Sequence, residues 1–86
     1  MSQLHLTLYS RRDCHLCDEA HALIERLRAE PETCFELEIL DVDCDPGARE
    51  RYGDEVPVLL VNGKKFAKLR FDERRLRRKL SLRERG

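Results

Sequence analysis

Apolar and polar residues follow a regular pattern along the first half of the chain. Residues 4–9 alternate between the two classes, which predicts a strand with one buried face. Between Cys14 and Ala29 apolar residues recur with helical spacing, which predicts an amphipathic helix that ends before Pro31. The run over residues 35–40 predicts a second strand. The predicted buried face of the helix comprises Cys17, Ala20, Leu23, Ile24 and Leu27.

Turn and capping signals divide the next part of the chain. Asp45 and the proline after it predict the start of a short helix, and Gly53 suits its exit. The apolar run over residues 56–61 predicts a strand buried on both faces. The dipeptide Asn62-Gly63 then predicts a tight turn into a fourth strand over residues 64–71.

A last helix is predicted to begin at Asp72, where Phe71 and Leu76 occupy the positions of a hydrophobic staple. The predicted order is therefore β-α-β-α-β-β-α. Two strands joined through a helix should be parallel with a right-handed crossover, whereas the hairpin strands are antiparallel. The sequence thus predicts an α/β fold with a four-stranded mixed sheet and helices packed on it.

Length and charge limit what kind of molecule this is. The 86 residues suit a single domain, taken here as residues 1–86. Residues 1–63 hold 6 Lys/Arg and 14 Asp/Glu, net −8, whereas residues 64–86 hold 11 and 3, net +8. We expect the basic end to be a solvated helix face, partly neutralised by the acidic body, rather than a nucleic-acid site.

The chain carries no signal for a membrane or for export. No apolar run approaches the ~18 residues of a membrane span, and the first residues do not form a signal peptide. We therefore expect a cytoplasmic protein that does not associate with membranes. In a reducing compartment its four cysteines are expected to be catalytic, metal-binding or inert rather than structural disulfides.

Cys14 and Cys17 lie three positions apart, where the first strand gives way to the first helix. Open α/β sheets commonly carry functional groups at such a junction. Side chains on a helix lean towards its N-terminus, so Cys17 is predicted to point back at Cys14 within disulfide range. The helix dipole, Arg11 and Arg12 favour the reactive thiolate at Cys14. Cys14 is therefore the candidate nucleophile and Cys17 the candidate resolving thiol.

Other uses of this cysteine pair stay open at this point. A Cys-x-x-Cys pair is also half of a zinc site, which would need a second pair or two suitably spaced histidines. Cys34 and Cys44 are isolated in the sequence and are expected to be inert, with Cys34 a small buried residue at the start of a strand. We therefore predict no metal site, while two idle core thiols remain an alternative.

The stretches "YSRRDCHLC" and "VPVLLVNG", in this order of elements, resemble the glutaredoxin-like branch of the thioredoxin fold. The resemblance covers nearly the whole chain and extends to small bacterial proteins with a Cys-His-Leu-Cys motif. It implies a cis Val56–Pro57 bond against the disulfide, with the backbone of Val56 binding substrate. It also implies that Arg11 and Asp72 contact glutathione, and Asp72 equally suits a plain N-cap.

These observations predict a dithiol oxidoreductase that reduces glutathione-mixed or protein disulfides. Cys14 would attack the substrate disulfide and Cys17 would resolve the mixed disulfide. We expect a monomer without a tightly bound cofactor, with glutathione as a candidate co-substrate and a reductase system for recycling. Two other classes stay open: a thioredoxin-fold adaptor without catalysis, and an iron–sulfur carrier with Cys14 as ligand.

Overall fold

Strands and helices follow one another in the order predicted from the sequence. A computed structural model describes residues 3–81. Its strands are β1 (Leu4–Ser10), β2 (Phe35–Asp41), β3 (Val58–Val61) and β4 (Lys64–Lys68). Its helices are α1 (His15–Arg28), α2 (Pro46–Tyr52) and α3 (Glu73–Leu80), with a 3-10 turn over Val42–Cys44 before α2. The predicted α/β class is confirmed.

The strands form one mixed sheet in the order β2-β1-β3-β4. β1 pairs with β2 in parallel, as expected for strands joined through a helix, and the β1–β3 and β3–β4 pairings are antiparallel. β1 and β3 are therefore the central strands, and β2 and β4 are the edges. The predicted four-stranded mixed sheet is confirmed.

Both faces of the sheet are covered. Leu6, Leu8 and Leu59 belong to a core cluster that also contains the buried leucines of α1 and α3. Val58 is fully buried outside this cluster, as are Val42 and Ala48 of the 3-10 turn and α2. Because neighbouring residues of a strand face opposite sides, Leu59 and Val58 mark the two covered faces.

Two strand boundaries differ from the prediction. β3 begins at Val58 rather than at residue 56, because Pro57 has no N–H to donate to a sheet ladder. β4 ends at Lys68 rather than at residue 71, because Leu69 has a left-handed φ of 63° and leaves the extended conformation. The chain therefore turns away from the sheet earlier than the apolar pattern suggests.

The helices follow their predicted caps and buried faces. α1 starts after Cys14 and buries the five residues predicted for its inner face. α3 starts after Asp72 and buries Leu76 and Leu80. Positive φ values at Asn62 (51°) and Gly63 (86°) form the predicted tight turn. No helix within residues 3–81 has the length and apolar content needed to cross a lipid bilayer.

The beginning of β1 and the end of α3 lie near the start of β2. Leu4 is in register with Phe35, and Ser81 forms an isolated bridge with Thr33. Cys34, between those two partners, is exposed. The prediction that Cys34 is buried is therefore wrong. Alternation along the chain gives the inward positions to Thr33 and Phe35 and turns Cys34 outwards.

Candidate active site

Cys14 and Cys17 are joined by a disulfide at the N-terminus of α1, with their Cα atoms 5.2 Å apart. Cys14 is the N-cap residue of the helix, and its Sγ accepts a hydrogen bond from the backbone N–H of Cys17 at 3.1 Å. Cys14 is half-buried, whereas Cys17 is only 3% exposed. The two sulfurs therefore differ in access: one meets solvent and the other is shielded.

The cysteine loop, residues 11–14 between β1 and α1, lies at one end of the central strands together with two other segments. Tyr9 of β1 pairs with Val58 of β3 in antiparallel register, so Pro57 lies beside the end of β1. On the other side of β3, the Pro57 carbonyl accepts a hydrogen bond from the Leu69 N–H at 2.8 Å. The end of β1, the start of β3 and the end of β4 therefore lie side by side.

Arg11 ties the cysteine loop to the region after β2. Its Nε and Nη2 donate to the two Asp43 carboxylate oxygens at 2.9 and 3.0 Å, and its Nη1 donates to the Gly53 carbonyl at 3.0 Å. The hydrogen bonds from Arg11 hold the pKa of Asp43 below its usual range. The Arg11 guanidinium is thus engaged by protein groups, and its contact with glutathione stays a prediction.

The predicted site residues Val56 and Pro57 stand where the cysteine loop meets β3. The peptide bond between them is cis, as the resemblance implied. Pro57 is fully buried and Val56 is half-buried. The structure thus brings both residues to the same end of the central strands as the dithiol. Their binding of a substrate stays a prediction.

Asp72 and His15 each have a partner within the chain. The Asp72 side chain accepts hydrogen bonds from the backbone N–H groups of Arg74 and Arg75 at 3.0 and 3.2 Å, so it caps α3. The His15 side chain is 85% exposed, and its Nε2 lies 2.8 Å from a Glu19 carboxylate oxygen. His15 between the cysteines therefore faces solvent, and a contact of Asp72 with glutathione stays a prediction.

A groove beside the dithiol was not predicted from the sequence. It has a volume of about 490 Å³ and lies between α1 and the connection from β4 to α3. Leu16, which follows His15 between the two cysteines, lines one end of the groove. Leu69, 41% exposed, lines the opposite wall. The apolar Leu69 was the available signal in the stretch Leu69-Arg70-Phe71-Asp72 after β4, but a left-handed φ cannot be deduced from a leucine.

The two groups that anchor Arg11 were also not predicted from the sequence. Asp43 and Gly53 are distant from Arg11 in sequence, and the only hint of a partner was the abundance of acidic residues after β2.

Within residues 3–81, no three side chains of metal-ligating type come together in a group that could hold a metal ion. The chemistry of the described site is that of two thiols in disulfide range at the start of a helix.

Comparison with known proteins gives the same architecture. Residues 5–81 match the model of a family described as glutaredoxin-like domain, DUF836. The Mycobacterium tuberculosis protein Rv0508 is 32% identical over 82 residues, which cover 90% of this chain and 82% of that protein. The solution structure of protein Ne2328 from Nitrosomonas europaea has a TM-score of 0.79 at 30% identity, covering 94% of this chain and 95% of that chain. A mutant thioredoxin from Halobacterium salinarum, 21% identical, shares the fold with a TM-score of 0.66, over 92% of this chain and 73% of its own.

Proposed function

Since this chain belongs to the glutaredoxin-like domain family, we propose that it is a thiol–disulfide oxidoreductase that reduces disulfides through Cys14 and Cys17. The unequal environments of the two sulfurs carry this proposal. Cys14 is accessible at the helix N-terminus, and Cys17 is shielded within disulfide range of it. A nucleophile needs access, whereas a resolving thiol has only to reach its neighbour.

The reaction starts with the reduced dithiol. The Cys14 thiolate attacks one sulfur of a substrate disulfide and forms a mixed disulfide, and the second substrate sulfur leaves as a thiolate that takes a proton from solvent. The Cys17 thiol loses its proton and attacks the Cys14 Sγ, which releases the first substrate sulfur as a second thiol. Two electrons have then passed from the dithiol to the substrate, leaving the Cys14–Cys17 disulfide seen in the structure.

The helix stabilises the attacking sulfur. The N–H of Cys17 points at the Cys14 Sγ, and a negative charge on that sulfur would strengthen this hydrogen bond. The positive end of the α1 dipole adds about 0.3–1 kcal/mol in favour of an anion at this position. Both effects favour Cys14 over Cys17, because the hydrogen bond is accepted by Cys14 alone and the dipole effect weakens within the first turn, where Cys17 lies.

The other predicted site residues are proposed to contact the substrate. We propose that the substrate main chain lies along Val56 beside Pro57, at the end of the central strands where the dithiol also lies. Arg11 anchors the loop and Asp72 caps α3. As second roles, we propose that Arg11 contacts a glutathione carboxylate and that Asp72 contacts the γ-glutamyl group. The protein is proposed to act in the cytoplasm as a monomer without a tightly bound cofactor, recycled by glutathione or by a reductase system.

Single-cysteine variants test this proposal. Pre-reduced protein is mixed with a small aromatic disulfide, and thiol release is followed by absorbance. Cys14→Ser should abolish the reduction, whereas Cys17→Ser should leave Cys14 trapped as a mixed disulfide that mass spectrometry detects. Cys34→Ser and Cys44→Ser, which remove the two exposed free thiols, should leave the rate unchanged. Full activity in Cys14→Ser, or an adduct on Cys34 or Cys44 in place of Cys14, would refute the assignment.

A further inference from the structure

The groove beside the dithiol extends along one face of α1. On α1 it is lined at one end by Leu16 and at the other by Arg26, and between them by Ala20 and Leu23. Ten residues of helix span about 15 Å. An extended polypeptide rises about 3.3 Å per residue, so a stretch of roughly four residues matches this length. The groove therefore fits a short extended segment that begins at Leu16, within the cysteine motif.

The wall opposite α1 presents an exposed leucine. Leu69 is one of two large hydrophobic residues that are exposed within residues 3–81, the other being Ile39 on the edge strand β2. Its φ of 63° is unfavourable for a leucine, and its N–H is tied to the Pro57 carbonyl. Together with Phe71 and Leu16 it forms the apolar part of the groove lining, and Leu16 directly precedes Cys17 in the sequence.

Several of the groups that would attract a carboxylate near the dithiol have partners within the chain. Arg11 is bound by Asp43, and the first free N–H groups of α3 are capped by Asp72. Within the groove, Arg26 donates to Glu73 at 3.2 Å. Arg70 is the groove cation without an ion pair inside residues 3–81. Arg12, which precedes Cys14 by two residues, is exposed and is also without an ion pair in that range. The apolar part of the groove, rather than a lack of cations, is therefore the feature that selects a substrate.

From these features we infer that the groove binds an apolar segment of a substrate protein next to its disulfide, and that Leu69 determines this specificity. The inference rests on the function proposed above and narrows its substrate class to protein disulfides in preference to glutathione disulfide, because glutathione has no large apolar side chain to contact this lining. The reaction is unchanged: the Cys14–Cys17 dithiol is oxidised, and the bound protein disulfide is reduced to two thiols. Continuity of the groove with Leu16, inside the cysteine motif, brings such a segment to the reacting sulfur.

Three disulfide substrates test the inference in single turnovers of pre-reduced protein. Two are synthetic peptides with the same disulfide, flanked on one side by two leucines or by two serines, and the third is oxidised glutathione. The wild-type protein should reduce the leucine peptide about tenfold faster than the serine peptide, a difference typical of one well-buried apolar contact. Oxidised glutathione should be slower than the leucine peptide at equal concentration.

Two matched variants identify the residue responsible. Leu69→Ser should reduce the preference for the leucine peptide to about twofold, because the half-saturating concentration of that peptide rises. Ile39→Ser removes the other exposed hydrophobic side chain and should keep the full preference. Leu69→Gly, which relieves the strain of the left-handed φ, should behave as Leu69→Ser. The preference for the leucine peptide is lost because the side chain is missing, whether or not the backbone is strained.

The outcomes separate this inference from the proposed function. Equal rates for the two peptides, or faster reduction of oxidised glutathione, would overturn the inference while the dithiol mechanism stands. An unchanged preference in both Leu69 variants would overturn the role of that residue. If the wild-type protein reduces none of the three disulfides, the proposed function itself fails. The preference of the wild-type protein for one peptide needs no variant, so a Leu69 variant that does not fold leaves the test decisive.

Discussion

Residues with left-handed backbone angles occur at three places in the described chain. Asn62 and Gly63 form the hairpin turn, whereas Asp13 (φ 55°) precedes Cys14 and Leu69 follows β4. Aspartate tolerates this conformation better than most residues, and leucine does not. The turn was predictable because its residue types suit it, while the angles beside the dithiol are imposed by the surrounding structure.

Two glycine substitutions should shift stability in opposite directions. Gly63→Ala forces a β-carbon onto a φ of 86° and should lower the free energy of unfolding by about 1–2 kcal/mol. Gly47→Ala, in the first turn of α2, meets only ordinary contacts and should raise it by up to about 1 kcal/mol. Urea unfolding at neutral pH measures both changes. A stability loss in Gly47→Ala equal to that of Gly63→Ala would contradict the conformational explanation.

Helix α1 is the element that links the core to the dithiol. Its buried residues include Ile24 and Leu27, which are fully inaccessible, and its N-cap is the candidate nucleophile. The same helix therefore fixes the position of Cys14 and supplies the field that favours its ionised form. Its inner face was predictable residue by residue, because helical periodicity depends only on local sequence.

Removing core volume under this helix should be costly. Ile24→Ala should lower the free energy of unfolding by about 2–5 kcal/mol, because it leaves a cavity among side chains that pack on β1 and β3. In a chain of this size that is a large part of the total stability. His21→Ala, on the exposed face of α1, should change it by no more than about 0.5 kcal/mol. Equal effects of the two variants in urea unfolding would contradict the packing described.

Elements were predicted more accurately than their arrangement. The hairpin at Asn62-Gly63 and the caps Asp45 and Asp72 follow from local chemistry, and the structure has all three. The strand order and the Asp43 partner of Arg11 depend on residues far apart in sequence. Periodicity and capping rules carry no information about such pairs. The cysteine pair was predicted as a site, but the groove beside it required the observed turn at Leu69.

The opposite charges of the two parts of the chain meet across the molecule. Arg77 of α3 forms a two-pronged ion pair with Glu30, after α1, and also binds Glu73. Lys65 and Lys68 of β4 both donate to Glu55. The acidic body thus neutralises part of the basic end, as predicted. These pairs fasten α3 and the hairpin to the rest of the fold.

Acid should weaken the link between α3 and α1. The hydrogen bond from Arg77 holds the pKa of Glu30 below its ordinary value of 4.5. A carboxylate whose folded pKa is depressed stabilises the fold above its unfolded pKa, and this contribution is lost as pH falls through the folded value. Glu30→Gln should therefore be less stable than wild type at pH 7, and the difference should shrink below about pH 4.

Urea unfolding of wild type and Glu30→Gln across this pH range measures the difference directly. Glu50→Gln, on the exposed side of α2, serves as the control and should show little difference from wild type at either pH. A difference for Glu30→Gln that stays constant from pH 7 to pH 3 would mean that the carboxylate charge is not its cause.

The bridge between Thr33 and Ser81, together with the pairing of Leu4 and Phe35, gathers both ends of the described chain at one side of the sheet. β1 runs from that side to the cysteine loop, over about 20 Å. A fluorophore, affinity handle or solid support attached next to Leu4 or Ser81 would therefore leave the sulfurs unobstructed. Immobilised protein would present Cys14 outwards, so that its proposed reaction with disulfides in solution could be followed on the support.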